Sequence, residues 1–590
     1  MNKMNRTDFL KIGTVAALSP LFVKASINDF TPPIDTELMN RLITENDKTA
    51  SQLMETIKQG TLRFSRMIAY DIAVLTAAYC AKSSAYYQNI EVVSKIDILV
   101  KFLASAQADD GTVNVGNLES PPDTAFLIEI LGPAASIMRK NNNRALQEVQ
   151  QQLKQILLKA GEGLTTGGIH TPNHRWVICA ALAQINHLYP NKKYINRIDD
   201  WLGEGVFIDA DGHYPERSGI YSGVENAALI SIARLANKPS LYAPVRKNLS
   251  MYLYYIEPNG DLVHNDSRRQ DQYEYAFRKS TLFYLQYRYM AIYENNKLFA
   301  AQCKQIEATK DFQKDVLTRS LVYFLEDELL QQQLPTAEVL PDRYEKLFST
   351  SHLLRIKEKN TTITLFGGVD WPLLIASGRS NSPDFFSYRK GDAILKYMRL
   401  SSNFFSMGYF YSDGLRKEGN SYVLSKKLEI PYYQPMPKEK RKVNGDYKLS
   451  PSIDNRFWNK MDFNSRPVSN VKTLETIIRL TEKNGIAELE FELKGMKGVP
   501  VTIELCFKEG GQLSGVSDTD ANGNRFLEQG IGEYRSGNDV ITFGPGAVTH
   551  KQVMNLEGER YSTHFGTLRT KGEHVYITGT TPFKHKLSFS

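Results

Sequence analysis

Leu329-Leu330-Gln331-Gln332-Gln333-Leu334-Pro335-Thr336-Ala337-Glu338-Val339-Leu340-Pro341-Asp342-Arg343-Tyr344 divides the chain into halves of different periodicity. Its glutamine run has no apolar face to bury, and its two prolines each remove a backbone donor. Upstream, apolar residues recur at three- and four-residue spacing in Ile68–Lys82, Val93–Ala104, Asp123–Met138, Leu146–Ala160, Trp176–Leu188, Val224–Leu235 and Gln272–Tyr293. That is the period of helices with a buried face. Gly- and Pro-bearing connections at Asp110-Gly111, Gly167–Pro172, Asp209–Pro215 and Pro258–Gly260 punctuate them. Helices of similar length with no fixed sequence repeat predict an α/α toroid, or incomplete barrel, rather than a solenoid. Downstream, Thr362–Phe366, Tyr422–Leu428, Ala487–Leu493, Val501–Phe507, Val540–Phe543 and Val575–Thr578 read as short strands between Gly, Asn and Asp turns. This half predicts an antiparallel β-sandwich. The expected order is a toroid over 26–335, a linker over 336–348 and a sandwich over 349–590. A chain of 590 residues is too long for one ordinary core, in keeping with two domains.

Residues 1–25 read separately. Arg6-Thr7-Asp8-Phe9-Leu10-Lys11 precedes an apolar run from Ile12 to Val23 and then Ala25-Ser26, the pattern of an export signal too short to span a membrane. It is similar to a twin-arginine signal with Thr7 in place of the second arginine. No cysteine follows the run, so no lipid or membrane anchor is expected, and the expected destination is the periplasm. Cys80, Cys179, Cys303 and Cys506 are far apart with no C-x-x-C pair, which predicts free thiols and no zinc site.

Net charge is +7 with Lys and Arg dispersed, so no nucleic-acid arm is expected, although Lys438–Lys442 forms a short basic stretch. The mild basic balance suits an acidic glycan. Tyr and Phe are abundant, and aromatic rings stack on sugars, but core packing accounts for most of them. The clusters Asn403–Phe405, Tyr409–Tyr411 and Pro431–Tyr433 are expected to pack in the sandwich.

Two segments carry chemistry. Thr171-Pro172-Asn173-His174-Arg175-Trp176 opens a helix, and Asp211-Gly212-His213-Tyr214-Pro215-Glu216-Arg217-Ser218-Gly219-Ile220-Tyr221 leads into another. Elimination from a uronic acid needs a donor to neutralise the carboxylate, a base for the carbon-5 proton and an acid for the departing oxygen. Asn173, His174 and Tyr221 supply an amide, an imidazole and a phenol. Each also has an ordinary reading, as a helix cap, a surface imidazole and a core tyrosine. Tyr214, Glu216 and Arg217 are candidate substrate contacts on the second segment. His264, Arg268 and Arg269 are candidates in His264-Asn265-Asp266-Ser267-Arg268-Arg269-Gln270-Asp271, where a capped helix start is the alternative. Asp209-Ala210-Asp211-Gly212 lacks the remaining ligands of a calcium loop.

Together the segments resemble the heparinase II/III-like superfamily of polysaccharide lyases, which join an α/α toroid to an antiparallel β-sandwich. That family has an N-H pair on a toroid helix and a loop D-G-x-x-x-E-x-S-x-x-Y, matched here by Asn173-His174 and by Asp211, Gly212, Glu216, Ser218 and Tyr221. The resemblance implies a lyase in which Asn173 neutralises the carboxylate, His174 is the base or its partner, and Tyr221 is the acid or both acid and base. It implies cleavage at carbon 4 of a uronate, with a glucuronate-containing glycan, including a rhamnose-glucuronate, as the expected substrate. The family's H-x-H-x-D segment is altered here to Ser380, Ser382 and Asp384, so no metal or other cofactor is expected. Arg379 or Arg389 is then the expected cation from the sandwich, with His352 as a further candidate. A hydrolase using Asp211, Glu216 or Asp266, and a glycan-binding protein without catalysis, are the alternatives.

Overall fold

The computed structural model describes residues 33–590, apart from 61–64, 270, 272–278, 369–381, 406–407, 452–457, 522 and 554–570. The expected export signal and Arg379 lie outside the described residues, as does much of the expected helix Gln272–Tyr293.

Among the described residues, twelve α-helices form the first half: α1 (Thr36–Lys58), α2 (Met67–Cys80), α3 (Ile90–Ser105), α4 (Pro121–Asn141), α5 (Gln147–Thr166), α6 (His174–Leu188), α7 (Lys192–Leu202), α8 (Gly219–Leu235), α9 (Tyr242–Tyr252), α10 (Tyr284–Tyr293), α11 (Lys297–Glu307) and α12 (Leu321–Glu326). The even-numbered helices pack side by side as an inner ring, and the odd-numbered ones lie outside. Sequence sets this division. Helix α2 (MIAYDIAVLTAAYC) is apolar almost all round and buried, whereas α1 and α5 bury one stripe and expose the other face. The ring closes where α12 meets α2 and α4. Arg288 of α10, fully buried, donates to Leu330 O (2.8 Å), Gln332 O (2.6 Å) and Asp35 Oδ2 (3.2 Å), so the last turn is tied to the first helix.

Strands begin at Arg343. Residues 343–348, expected as linker, are instead strand β1 (Arg343–Phe348), paired with β2 (Leu353–Glu358), then β3 (Thr361–Phe366), β4 (Phe386–Lys390) and β5 (Ala393–Ser402). Proline and polarity obscured β1, which lies at the sheet edge, where such residues are tolerated. Among the described residues, a nine-stranded and an eight-stranded sheet face each other over a core of Ile356, Leu365, Met398, Phe491, Ile503 and Leu587. Pairing is antiparallel except at Arg525–Phe526, which runs parallel to Glu573–Thr580. The six expected strands all lie within observed ones. The four cysteines are free, with Cys80 half-buried. Tyr432 and Tyr433 correct the packing expectation: they stand 49% and 37% exposed on an arm of the smaller sheet.

A buried ionic seam joins the halves. Glu257 accepts from Thr362 Oγ1 (2.9 Å) and forms ion pairs with Arg355 Nη2 (2.9 Å) and Arg389 Nε (3.6 Å). Arg389 Nη2 also reaches Asp261 Oδ2 (3.2 Å). Arg389 is therefore a seam residue and not the expected cation of the cleft. Burial works to raise the Glu257 carboxyl, but Arg355 and Arg389 hold it below the usual carboxylate range. Glu257→Ala is expected to cost about 3–5 kcal/mol, because it leaves the buried Arg355 guanidinium without its carboxylate; calorimetric unfolding checks this.

Candidate active site

The loops preceding α6 and α8, and the stretch 264–271, meet where the toroid faces the sandwich. The acidic loop is shaped residue by residue. Asp209 Oδ1 accepts the N–H groups of Gly212 and His213, both at 2.9 Å. Gly212 is left-handed (φ +109°), and a Cβ there would lie 3.0 Å from Met251 Cβ. Asp211 Oδ2 accepts from Thr350 N (2.8 Å) and Ser351 N (3.0 Å), pinning this loop to the β1–β2 turn. His352 lies in the same turn with φ +55°, a backbone position at the seam. Ser218 caps α8, accepting from Tyr221 N at 3.4 Å, and its hydroxyl donates to Asp271 Oδ2 at 2.9 Å. Asp271 in turn accepts from Ser267, whose Oγ accepts from Arg269 N at 3.1 Å. These buried links lock the arginine loop to the start of α8.

The polar chain of the site follows. Asn173 stands at the start of α6 but does not cap it. It is wholly buried, and Nδ2 donates to Glu216 Oε2 at 2.6 Å. Glu216 Oε1 pairs with Arg269 Nη1, and Arg269 Nη2 donates to Tyr221 Oη at 3.1 Å. The Arg269 guanidinium also stacks on the Tyr221 ring, 4.3 Å from its centroid. Asn173, Glu216, Arg269 and Tyr221 thus form one hydrogen-bonded chain. Burial pushes the Glu216 carboxyl up, against the pull of Arg269 and Asn173. Negative charge arising on the Tyr221 oxygen would meet the Arg269 cation directly.

His174 follows Asn173 and packs edge-on against His170 (centroids 4.7 Å) and Phe126 (6.2 Å). Burial, then the charges of His170, Arg269 and Arg66, push its imidazole down to about 4. It is neutral at pH 7 and can accept a proton. If it is the base, kcat/KM should fall on the acid side only as pH drops through about 4, not through the 6.5 of an ordinary histidine. A pH profile of kcat/KM checks this.

Other sequence candidates are placed elsewhere. Tyr214 is buried and donates to Asn226 Oδ1 (2.8 Å), so it is a core residue and not a substrate contact. Arg217, left-handed at φ +47°, lies against Asp209 and donates to Thr350 O (3.2 Å), which makes it part of the seam. Arg268 braces the acidic loop, donating from Nη1 to Pro215 O (3.0 Å) and from its backbone to Glu216 O (3.0 Å). His264 holds Leu262 O through Nδ1 at 2.9 Å. Asp266 is buried beneath the site against His213 Nε2 (3.1 Å) and Tyr255 Oη (2.8 Å).

Sequence reasoning missed Arg66, His170 and Glu225. Arg66, paired with Asp123 and stacked on Phe126, comes from a connection far from either motif. His170, exposed and four residues before His174, was legible as H-x-x-x-H. Glu225, one helical turn beyond Tyr221, is fully buried with neither carboxyl oxygen bonded, and burial holds it well above the usual range. On the sandwich side, Arg399 is buried against Asp384 Oδ1 (2.5 Å) and over the Tyr397 ring (3.9 Å), and Asn265 donates to Asp384 O (2.6 Å). Among the described residues, no cluster of three or more His, Cys, Asp or Glu is arranged to hold a metal, and no helix is long and apolar enough to cross a membrane.

No family model matches the sequence, and no curated protein matches it. Solved structures do match in fold. Heparinase III superposes with a TM-score of 0.53 at 12% identity, over 88% of this chain and 75% of that one. The chondroitin AC lyase of Streptomyces coelicolor A3, in complex with chondroitin sulphate, gives 0.54 at 12% identity, over 94% and 82%. Paenibacillus xanthan lyase gives 0.54 at 11% identity, over 94% of this chain but 57% of that one. The chain shares the toroid-plus-sandwich fold of these three solved lyases.

Proposed function

We propose that this protein is an exported polysaccharide or oligosaccharide lyase that cleaves the bond to carbon 4 of a uronic acid by β-elimination. The observation that carries this reading is the continuous chain Asn173–Glu216–Arg269–Tyr221 beside a neutral His174. The substrate carboxylate is met by the positive charge of Arg269 and Arg66, while Asn173, wholly buried, holds Glu216 and through it positions Arg269. That stabilises the charge which builds up as the carbon-5 proton leaves. His174 accepts the proton, the electron pair of the broken C–H bond becomes the C4–C5 double bond, and the bond from carbon 4 to the leaving oxygen breaks. Tyr221 gives its proton to that oxygen; solvent then takes the proton from His174 and returns one to Tyr221, which restores both groups.

A hydrolase would need two opposed carboxyl groups free to act as acid and as base or nucleophile. The three candidates are bound to protein groups instead: Asp211 to the β1–β2 turn, Glu216 to Asn173 and Arg269, and Asp266 to His213 and Tyr255. That favours elimination. The mild basic charge supports an acidic glycan, and a glucuronate-containing glycan, including one with rhamnose-linked glucuronate, is the substrate we favour. The altered H-x-H-x-D segment argues against simple transfer of a heparin or alginate specificity. Incubation with a panel of uronate-bearing glycans, followed by ultraviolet absorbance, tests the reading. A rise from the conjugated uronate supports it; new reducing ends without absorbance would point to hydrolysis, and binding without either to a non-catalytic role.

A further inference from the structure

Beneath the site the inner helices line a half-open cavity of about 740 Å³, of which the elimination step uses only Arg66. Arg66, Phe126 and Ile220, the neighbour of Tyr221, line its upper end, and Arg234, Glu326 and Asp327 line the other. Ile220 and Arg234 mark opposite ends of α8, so the lumen runs for about 20 Å at the helical rise of 1.5 Å per residue. At the lower end Arg234 grips both oxygens of Glu326 (2.9 and 2.7 Å) and lies 3.4 Å from Asp327, strapping α8 to α12. An ion cluster therefore stands at the end of the cavity away from the reacting centre.

Its wall mixes apolar surface with uncommitted polar groups. The carboxyl of Glu129 and the hydroxyls of Tyr70 and Tyr323 form no hydrogen bond with another described group. Gln286 gives its amide N–H to Gly223 O (3.0 Å), but its Oε1 is buried without a partner. Arg319 lies over the Tyr70 ring at 5.7 Å. Burial pushes the Glu129 carboxyl up to about 8, so at neutral pH it is mostly a protonated donor and acceptor. Polar groups that face the lumen without a protein partner can exchange hydrogen bonds with the hydroxyls of a ligand. Apolar faces between polar groups suit pyranose rings.

We infer that this lumen is a subsite for one end of the glycan, holding neutral, hydroxyl-bearing sugar residues next to the reacting uronate, so that the enzyme works from chain ends. The inference rests on the lyase reading for its reaction, but not for its binding site. Ala227, on the lumen wall midway along α8, is the position to test it, because Ala227→Trp fills open space without touching Tyr221 or Arg269. On glucuronate-containing oligosaccharides of graded length, the variant should raise KM by tenfold or more for chains that enter the lumen. It should leave kcat on the shortest cleavable substrate unchanged. Glu129→Gln, which keeps the shape, should change KM less than Glu129→Leu. With a long polymer, the wild-type enzyme should release short products from the outset while the mean chain length falls slowly. Early random internal cleavage, or an Ala227→Trp KM equal to the wild type at every length, would overturn the inference. If no glycan is cleaved at all, the function above fails, and titration calorimetry still decides the subsite. A glucuronate-containing tetrasaccharide should bind wild type at least tenfold more tightly than Ala227→Trp, and equal or absent binding would reject it.

Discussion

Tyr221→Phe is expected to lower kcat by about 10²–10⁴-fold, the range for losing a positioned proton donor. The ring, its stacking on Arg269 and the cap of α8 by Ser218 all persist in this variant, because only the hydroxyl is removed. Substrate affinity should change by no more than about tenfold, the worth of a single hydrogen bond. Stopped-time assays for kcat, with calorimetry for Kd, separate the two effects. A variant retaining a tenth or more of the wild-type kcat would remove Tyr221 from the proton-transfer role. A large loss of affinity with kcat unchanged would make it a binding residue.

The second large effect falls on Glu216, which touches no reacting atom in this account. It holds the buried amide of Asn173 with one oxygen and Arg269 with the other, so it sets the position of the cation that meets the substrate carboxylate. Glu216→Ala should lower kcat/KM by about 10²-fold or more, since small misplacement of catalytic groups has effects of that size. It also leaves the Arg269 cation without its counterion. Glu216→Gln keeps an acceptor for Asn173 and should recover part of the loss. If Glu216 merely supported the fold, both variants would lose thermal stability in step with activity. The present account expects activity to fall far more than stability.

The periodic parts of the fold were the legible ones. Helices such as α3, which buries Val93, Ile96, Val100 and Leu103, and strands such as Ala487–Leu493, which buries alternate residues, announce themselves because burial and period coincide. β1 did not, since its residues are mostly exposed at an edge and are framed by proline and charge. The site was legible where chemistry is local: Asn173-His174 and the loop ending at Tyr221 could be read as units. It was illegible where side chains cross the molecule. Nothing near Arg269 in the sequence says that it, and not Arg268, turns toward Tyr221; that choice is made by Ser267 and Asp271 packing against Ser218. Tyr214 and Arg217 looked like substrate groups because they flank Glu216, yet one faces the core and the other the seam. Arg66 enters from a connection over a hundred residues away, and no local pattern marks it.

The central claim is that the bond breaks without water. Digesting a defined uronate-bearing oligosaccharide in ¹⁸O-labelled water and weighing the products by mass spectrometry tests it directly. Elimination predicts product masses that sum to that of the substrate, with the double bond on the uronate fragment and no label taken up in the cleavage. Products whose masses sum to substrate plus one labelled water would contradict the account.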